Sequence, residues 1–532
     1  MSMFDHKAER EQDVSKIKTS ASLKKVVVAG PGTGKSFLFQ ELIKAKMAEG
    51  KSDFVAITFI GKLGDALADD LCGLAKTMTM HGFARKLVLG QRKGWEYYPK
   101  IHNIIKEDLK REGVHEFKIG DENYARKSEL YKAVGDADVV EYALKICELD
   151  ESLIPVHDLI LVDEFQDFNE VEAAFVDLLA KKNEMVIVGD DDQALYEFKG
   201  SSPSFIRKKY DPSNIDFESH TLRFCSRCTE VIIKYFHAIV GKYKLNEPSK
   251  KRIQKEYICY TPDKERDSKA NPKICLIKGC PPGMIAYKIH ESLKGMAQEQ
   301  KIKEVLVIGE GRSCKTILRD CARQLRDKGY KNVDFNGAED LLPVDQETVD
   351  AYKFIGKDEE SILGWRILGN PKKKKERDKH LKNAKTLCMI IEGNPSEIKA
   401  LSEKSVVALE AALSKEEMPD AALRKKILVQ EIKNRNISLP RPLGNLNITV
   451  CNILNSKGLG ADVVFLIGFD EGKFPSATDP TDSEIYQMLV ALTRAKKRIY
   501  LINTIGKKVS AFIGALDESD LDTEVIKGSK GT

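Results

Sequence analysis

The sequence predicts an α/β protein built on parallel sheets, and three observations predict it. Short apolar runs bounded by turn residues recur along the chain. Many of them are followed by helical patterns, as strands alternating with crossover helices require. The runs also fall into two groups, and 532 residues are too many for one ordinary core, because single cores stop growing near ~250–300 residues. Several domains, some nested in others, are expected.

The first group of candidate strands is Val26–Ala29, Phe54–Thr58, Leu159–Val162 and Met185–Val188. The second is Glu304–Ile308, Ile448–Cys451, Val463–Ile467 and Arg498–Ile502, interrupted by a charged stretch from Pro371 to Arg441. Two RecA-like domains with parallel sheets, each carrying a small, mostly helical insertion, fit this pattern. Residues 1–88 and 154–215 are assigned to the first domain with an insertion at 89–153, and residues 216–370 and 442–515 to the second with an insertion at 371–441. The remainder, 516–532, is polar, Gly-rich near its end and expected to fray as a flexible tail.

Composition narrows the function classes. Hydrophobic residues make up 42% and charged residues 31%, and no apolar run approaches the ~18 residues of a membrane span, so membrane insertion is not expected. No apolar segment follows Met1, which argues against a secretory signal. Eleven cysteines are scattered without a framework, which suits a reducing cytoplasm. Cys225 and Cys228 form a CxxC pair, but a structural zinc needs four ligands and no zinc site is expected. A net charge of +5 does not by itself argue for nucleic acid. Lys372–Lys375, with Arg377, Lys379 and Lys382, reads as a solvated helix face, a phosphate patch or a targeting signal. Gln91–Lys100 interleaves basic and aromatic residues that either guide a single strand or anchor the insertion through Trp95, Tyr97 and Tyr98.

Two motifs carry chemistry. Ala29, Gly30, Pro31, Gly32, Thr33, Gly34, Lys35 and Ser36 stand between a strand and a helical pattern, the context of a phosphate-binding P-loop. The glycines let backbone N–H groups close around phosphate oxygens, Lys35 adds a point charge at the β/γ-phosphates, and Ser36 offers a hydroxyl to Mg²⁺. The run Leu159–Asp167 ends an apolar strand in adjacent acids. Asp163 is the candidate to hold Mg²⁺ through water, and Glu164 to orient and deprotonate the water that attacks the γ-phosphate.

The sequences VDEFQD, GDDDQ and TFIGK resemble motifs of superfamily 1 helicases of the UvrD/Rep type, and further motifs follow in order from Gln12 to Leu501. What this resemblance implies is specific. Gln12 would read adenine. Thr58 and Phe59, in the Thr58–Lys62 segment, and Thr79, His81 and Phe83, in TMHGFA, would touch the DNA strand. Gln193 would sense the γ-phosphate, while Tyr196, Phe198 and Lys199 complete a motif in which Phe198 stacks on a base. Arg227 in LRFCSR and Arg494 in VALTRAKK would reach the γ-phosphate from the second domain, and Lys457 in NSKGL would meet the strand. Ser226 stands where the family commonly has a tyrosine that stacks on adenine.

The function implied is an ATP- and Mg²⁺-dependent, cytoplasmic DNA helicase or translocase moving 3′ to 5′ on single-stranded DNA, or on DNA with a single-stranded tail. The insertions are short for the family, which favours somewhat an alternative: a nucleic-acid-activated ATPase that serves a partner such as a nuclease as one component of a larger complex. RNA as the strand is a third reading, since backbone and stacking contacts say little about the sugar.

Overall fold

The computed structural model describes residues 3–59, 61–297, 302–310, 312–335, 346–392 and 446–526. By contact it divides into two units, one of Met1–Val88, Val140–Gly337 and Gly444–Thr532, the other of Leu89–Val139 and Ala338–Leu443. Among the described residues no helix is long and apolar enough to cross a membrane.

The first unit holds two sheets whose strands all pair in parallel. Their central strands are continuous apolar runs, which is what burial on both faces demands. The first sheet has six strands in the order Lys76–Thr79, Phe54–Thr58, Leu159–Val162, Met185–Gly189, Lys24–Ala29 and Glu218–Leu222. The register pairs Ile57 with Val162 and Val28 with Gly189, so these strands end together and their following loops emerge on one edge. That edge is where ligands bind in open α/β sheets.

The sequence assigned Glu218–Leu222 to the second domain. Instead it is the edge strand of the first sheet, with Val27 opposite His220. Its polar composition, with Glu218 and Ser219 exposed, is what an edge strand tolerates and what hides it from an apolar-run search.

The second sheet has seven strands in the order Asn332–Phe335, Asn447–Asn452, Glu304–Gly309, Ala461–Ile467, Ala495–Thr504, Ile274–Cys280 and Leu521–Val525. The last of these corrects the expected flexible tail: Leu521 to Val525 pair with Ile274 to Lys278. An exposed edge strand needs few apolar side chains, and Asp522, Thr523, Glu524 and Val525 are all exposed. Residues 527–532 of that tail lie outside the described residues.

The second unit shows that the two inserted segments share a core. Tyr98, Ile101, Ile105, Leu109 and Tyr124 pack with Phe354 and Leu363, and Arg366 reaches Asp108 at 2.9 Å. The segment from residue 346 to 370, read from sequence as part of the second sheet domain, therefore belongs with the helical insertions. Tyr98 is 2% exposed and meets Phe354 edge to face, the anchoring role of the two considered. Of the charged stretch 371–441, helix Lys374–Glu392 is seen, while 393–441 lie outside the described residues.

Candidate nucleotide site and strand-facing surface

The P-loop leaves strand Lys24–Ala29 and enters helix Lys35–Ala48. Gly32 and Gly34 adopt φ of 71° and 94°, left-handed values natural to glycine. A Cβ on Gly32 would stand 2.3 Å from Cβ of Arg227, so this glycine also permits close approach of the chain carrying Arg227. Ser226 N–H donates to the Gly32 carbonyl at 2.9 Å, and the Thr33 hydroxyl closes the turn onto the Gly30 carbonyl at 2.8 Å.

Lys35 Nζ lies 2.7 Å from Glu164 Oε1 and 3.8 Å from Asp163 Oδ1. Burial alone would lower the Lys35 pKa, but the two carboxylates win and raise it to about 12. Burial pushes Asp163 up to about 6, with Glu164 beside it adding to the rise. Burial also works on Glu164, yet Lys35 and Lys457 outweigh it and hold that carboxyl well below its ordinary range. The adjacent acids thus differ in proton affinity because the two ammonium groups approach Glu164 more closely, Lys35 with a direct hydrogen bond. Glu164 sits at φ 54°, a backbone region costing about 1–3 kcal/mol for a non-glycine residue, and Gln166 Nε2 fixes its other oxygen at 2.7 Å.

Ser36 and Asp163, the candidate metal-holding pair, are differently engaged. The Ser36 hydroxyl donates to Asp70 Oδ2 at 2.6 Å, and Asp163 Oδ1 accepts from the Glu164 N–H at 2.9 Å.

The second sheet supplies cations to this cleft. Thr481 and Glu484 form a capping box that fixes the start of helix Asp482–Thr493, and Arg494 caps its other end. The Arg494 guanidinium is buried and donates to the carbonyls of Val490 and Leu459 and to Gln193 Oε1. Burial, and then Arg227 nearby, lower its pKa to about 10. Among the described residues neither arginine is paired with a carboxylate. Gln193 is itself held through Nε2 by Asp190 Oδ2 at 2.6 Å, so one amide links the end of strand Met185–Gly189 to Arg494.

Lys457 requires a correction. Expected on the strand, it is 6% exposed, ion-pairs with Asp167, lies 3.6 Å from Glu164 Oε2 and donates to the Gln193 carbonyl at 2.8 Å. Its Gly-rich loop carries it inward between the sheets, and it faces Glu164 and Asp167. Burial raises the Asp167 pKa to about 6 against the pull of Lys457.

Gln12 is exposed on the N-terminal helix and is absent from the lining of the neighbouring cavity of about 600 Å³. Arg10, Glu11, Val14, Phe37 and Tyr260 line that cavity, with Arg10 4.5 Å above the Tyr260 ring. Sequence reading also missed Tyr257, whose hydroxyl donates to the Pro31 carbonyl at 2.7 Å. It missed Arg207, Arg252 and Lys255 as well. Arg252 grips Asp192 with two bonds of 2.7 Å, Arg207 meets Asp191 at 2.9 Å, and Lys255 meets Asp190 and Asp191. No local pattern marks these residues, since each acts on groups distant in sequence.

The strand-facing candidates separate into two sets. Phe59 and Tyr196 have ring centroids 4.9 Å apart, Phe198 follows at 6.0 Å from Tyr196, and Lys199 Nζ lies 5.5 Å above the Tyr196 ring. Phe198 is 69% exposed and so is not a core aromatic. His81 stands partly open, 3.6 Å from Glu172, and Thr79 accepts from the Gly82 N–H at 3.0 Å. Two expectations are overturned by burial: Thr58 is fully enclosed, and Phe83 is 6% exposed and packs on Phe175 and His157. Both support the surface from beneath.

Comparison with known proteins agrees with this layout. Residues 14–199 match a family model described as an AAA domain, and residues 365–505 match the UvrD-like helicase C-terminal domain. DNA helicase II of Haemophilus influenzae is 27% identical over 29% of this chain and 22% of its own length. The exonuclease/helicase subunit RexA of Lactococcus lactis is 26% identical over 30% of this chain and 13% of its own. ATP-dependent DNA helicase Rep of Buchnera aphidicola is 42% identical over 10% and 9%. The chain thus matches less than a quarter of the length of each of these relatives.

Proposed function

The chain belongs to the UvrD/Rep-like superfamily 1 helicases, and we propose that it hydrolyses ATP between its two sheets to move along, and unwind, DNA bearing a single strand. One observation carries this reading. Arg494 is a buried cation 2% exposed, bonded to carbonyls and Gln193 rather than to a carboxylate, and it lies within the electrostatic reach of Arg227 and Glu164. A buried, unpaired guanidinium is costly, and a polyphosphate is the anion that would offset it.

In this mechanism Lys35 and the P-loop N–H groups hold the β/γ-phosphates. Glu164 accepts the proton of the attacking water, and the paired lysines keep it ionised for that task. Arg227 and Arg494 offset charge developing on the transferred phosphoryl. The oxygen donors of Ser36 and Asp163 suit a hard cation such as Mg²⁺, which when bound would neutralise phosphate charge. Gln193, joined to both Asp190 and Arg494, passes the state of the cleft to the loop that carries Tyr196, Phe198 and Lys199. Stacking on these rings tolerates any base, as translocation requires. The direction 3′ to 5′ and a cytoplasmic location follow from the resemblance.

ATPase rate with and without single-stranded DNA tests this reading, with strand displacement measured on the same DNA and RNA as a third arm. Strong stimulation with displacement is expected; no stimulation by either strand refutes it. Likeness to a protein named an exonuclease/helicase subunit supports a second reading, an ATPase serving a nuclease partner, for which stimulation without displacement is the sign.

A further inference from the structure

Cys225 and Cys228 lie beneath the nucleotide site. Both side chains are fully buried, and the Cys228 N–H lies 3.4 Å from Cys225 Sγ, the turn that brings the thiols of a CxxC pair together. Cys225 Sγ is 3.2 Å from the Tyr257 hydroxyl, which shares its proton between that sulfur and the Pro31 carbonyl of the P-loop at 2.7 Å. Cys228 Sγ points to the carbonyl of Thr493 at 3.7 Å, one residue before Arg494. Between the cysteines stand Ser226, bonded to Gly32, and Arg227, packed against that glycine. This small loop therefore touches the P-loop and the chain bearing one arginine, and itself carries the other.

We propose that Cys225 and Cys228 are a reversible oxidation site, in which a small peroxide joins their sulfurs and a dithiol releases them, turning hydrolysis off and on; this rests on the ATPase reading above. The Cys225 thiolate attacks the O–O bond, forming a sulfenic acid and releasing hydroxide, which takes up a proton to leave as water. Cys228 sulfur then displaces the sulfenic hydroxyl, the S–S bond forms, and the second oxygen leaves as water with the Cys228 proton. A pair of electrons has passed from sulfur to peroxide, and a dithiol returns them by exchange. The hydrogen bonds from Cys228 and Tyr257 outweigh burial and bring Cys225 down to about 6, which supplies the thiolate.

The disulfide closes residues 225–228 into a ring and turns Cys225 Sγ away from Tyr257. Arg227 rides on that ring with the P-loop pinned beneath it, and a displacement of about 1 Å in a catalytic constellation costs about 10²-fold in rate.

Trypsin offers a direct readout, because it cuts at Arg227 between the cysteines. The full chain is treated with hydrogen peroxide, its remaining thiols are alkylated, and it is digested without reduction while strand-stimulated ATPase is measured in parallel. The expected result is that Phe224–Arg227 and Cys228–Lys234 appear as one linked peptide, that hydrolysis falls about tenfold or more, and that dithiothreitol reverses both. Cys228→Ala, or Cys228→Ser should the alanine variant fold poorly, is expected to keep its hydrolysis under peroxide. Absence of the linked peptide, linkage with unchanged hydrolysis, or equal inactivation of the Cys228 variant would overturn the proposal. An untreated chain without strand-stimulated hydrolysis would instead strike the ATPase reading, since linkage is scored independently of it.

Discussion

At the carboxyl edge of the first sheet, the loops after Lys24–Ala29, Leu159–Val162 and Met185–Gly189 present the P-loop, the acids Asp163, Glu164 and Asp167, and Gln193. The second sheet has the same parallel construction but sends cations, Lys457 from the loop after Asn447–Asn452 and Arg494 from the end of helix Asp482–Thr493. In the proposed mechanism one sheet holds the groups that bind phosphate and activate water, and the other holds the charges that complete them. Lys457 with Asp167, and Arg494 with Gln193, join the two halves directly. A site divided in this way is complete only when both sheets meet on one nucleotide, which is how hydrolysis can be tied to domain movement.

The largest expected effect comes from removing a charge of the second sheet. Arg494→Ala is expected to lower single-turnover hydrolysis on saturating single-stranded DNA by about 10³–10⁵, as loss of an arginine finger does. Nucleotide affinity should change little, because the P-loop contacts remain. Arg494→Lys should rescue poorly, since an ammonium lacks the planar fork. Unchanged hydrolysis in Arg494→Ala would break the division of labour drawn above. On the first sheet, Glu164→Gln should lose about 10²–10⁴ in turnover while still binding ATP, with binding and turnover assayed on the same preparation.

Lys457→Met sharpens the comparison, because it removes the cation shared by Asp167 and Glu164. Leaving the buried Asp167 without its cation is expected to destabilise the fold by about 3–5 kcal/mol, read as a lower denaturant midpoint, while Glu164 keeps Lys35. The salt dependence of strand binding should not change; a slope reduced by about one would return Lys457 to a phosphate contact.

A pH series tests the same buried acid. Asp167 has a folded pKa of about 6, above its ordinary 3.8. Between those values the folded protein keeps the proton and the unfolded chain does not, so this group makes stability fall as pH rises through the window. The contribution is at most about 3 kcal/mol, and Asp167→Asn should flatten the fall measured by denaturation; an identical profile would exclude Asp167 as its source.

Phe198→Ala is expected to weaken single-strand binding by about 1–3 kcal/mol for each base it stacks, and to leave strand-independent ATPase intact. Because Phe198 is 69% exposed, its loss should move stability by no more than about 0.5 kcal/mol. A large drop in thermal midpoint would mark it instead as a packing residue.

Local pattern alone determined the central strands, the P-loop and the acids that follow Leu159–Val162, because a buried parallel strand must be apolar and a phosphate turn must be glycine-rich. The polar edge strands Glu218–Leu222 and Leu521–Val525 left no such mark, for one face and one edge of each meet water. Residue types could nominate Arg227, Arg494 and Lys457 only through resemblance, and could not tell which of them face phosphate and which face the strand. Tertiary structure set burial and partners instead, turning Lys457 inward, burying Thr58 and Phe83, leaving Gln12 exposed and bringing Tyr257 and Tyr260 to the P-loop's side of the fold. It also drew the two insertions into one core around Tyr98 and Phe354. The physical reason is common to all of these: burial and partnership are set by chain segments far apart in sequence, and their proximity exists only once the sheets and helices have packed.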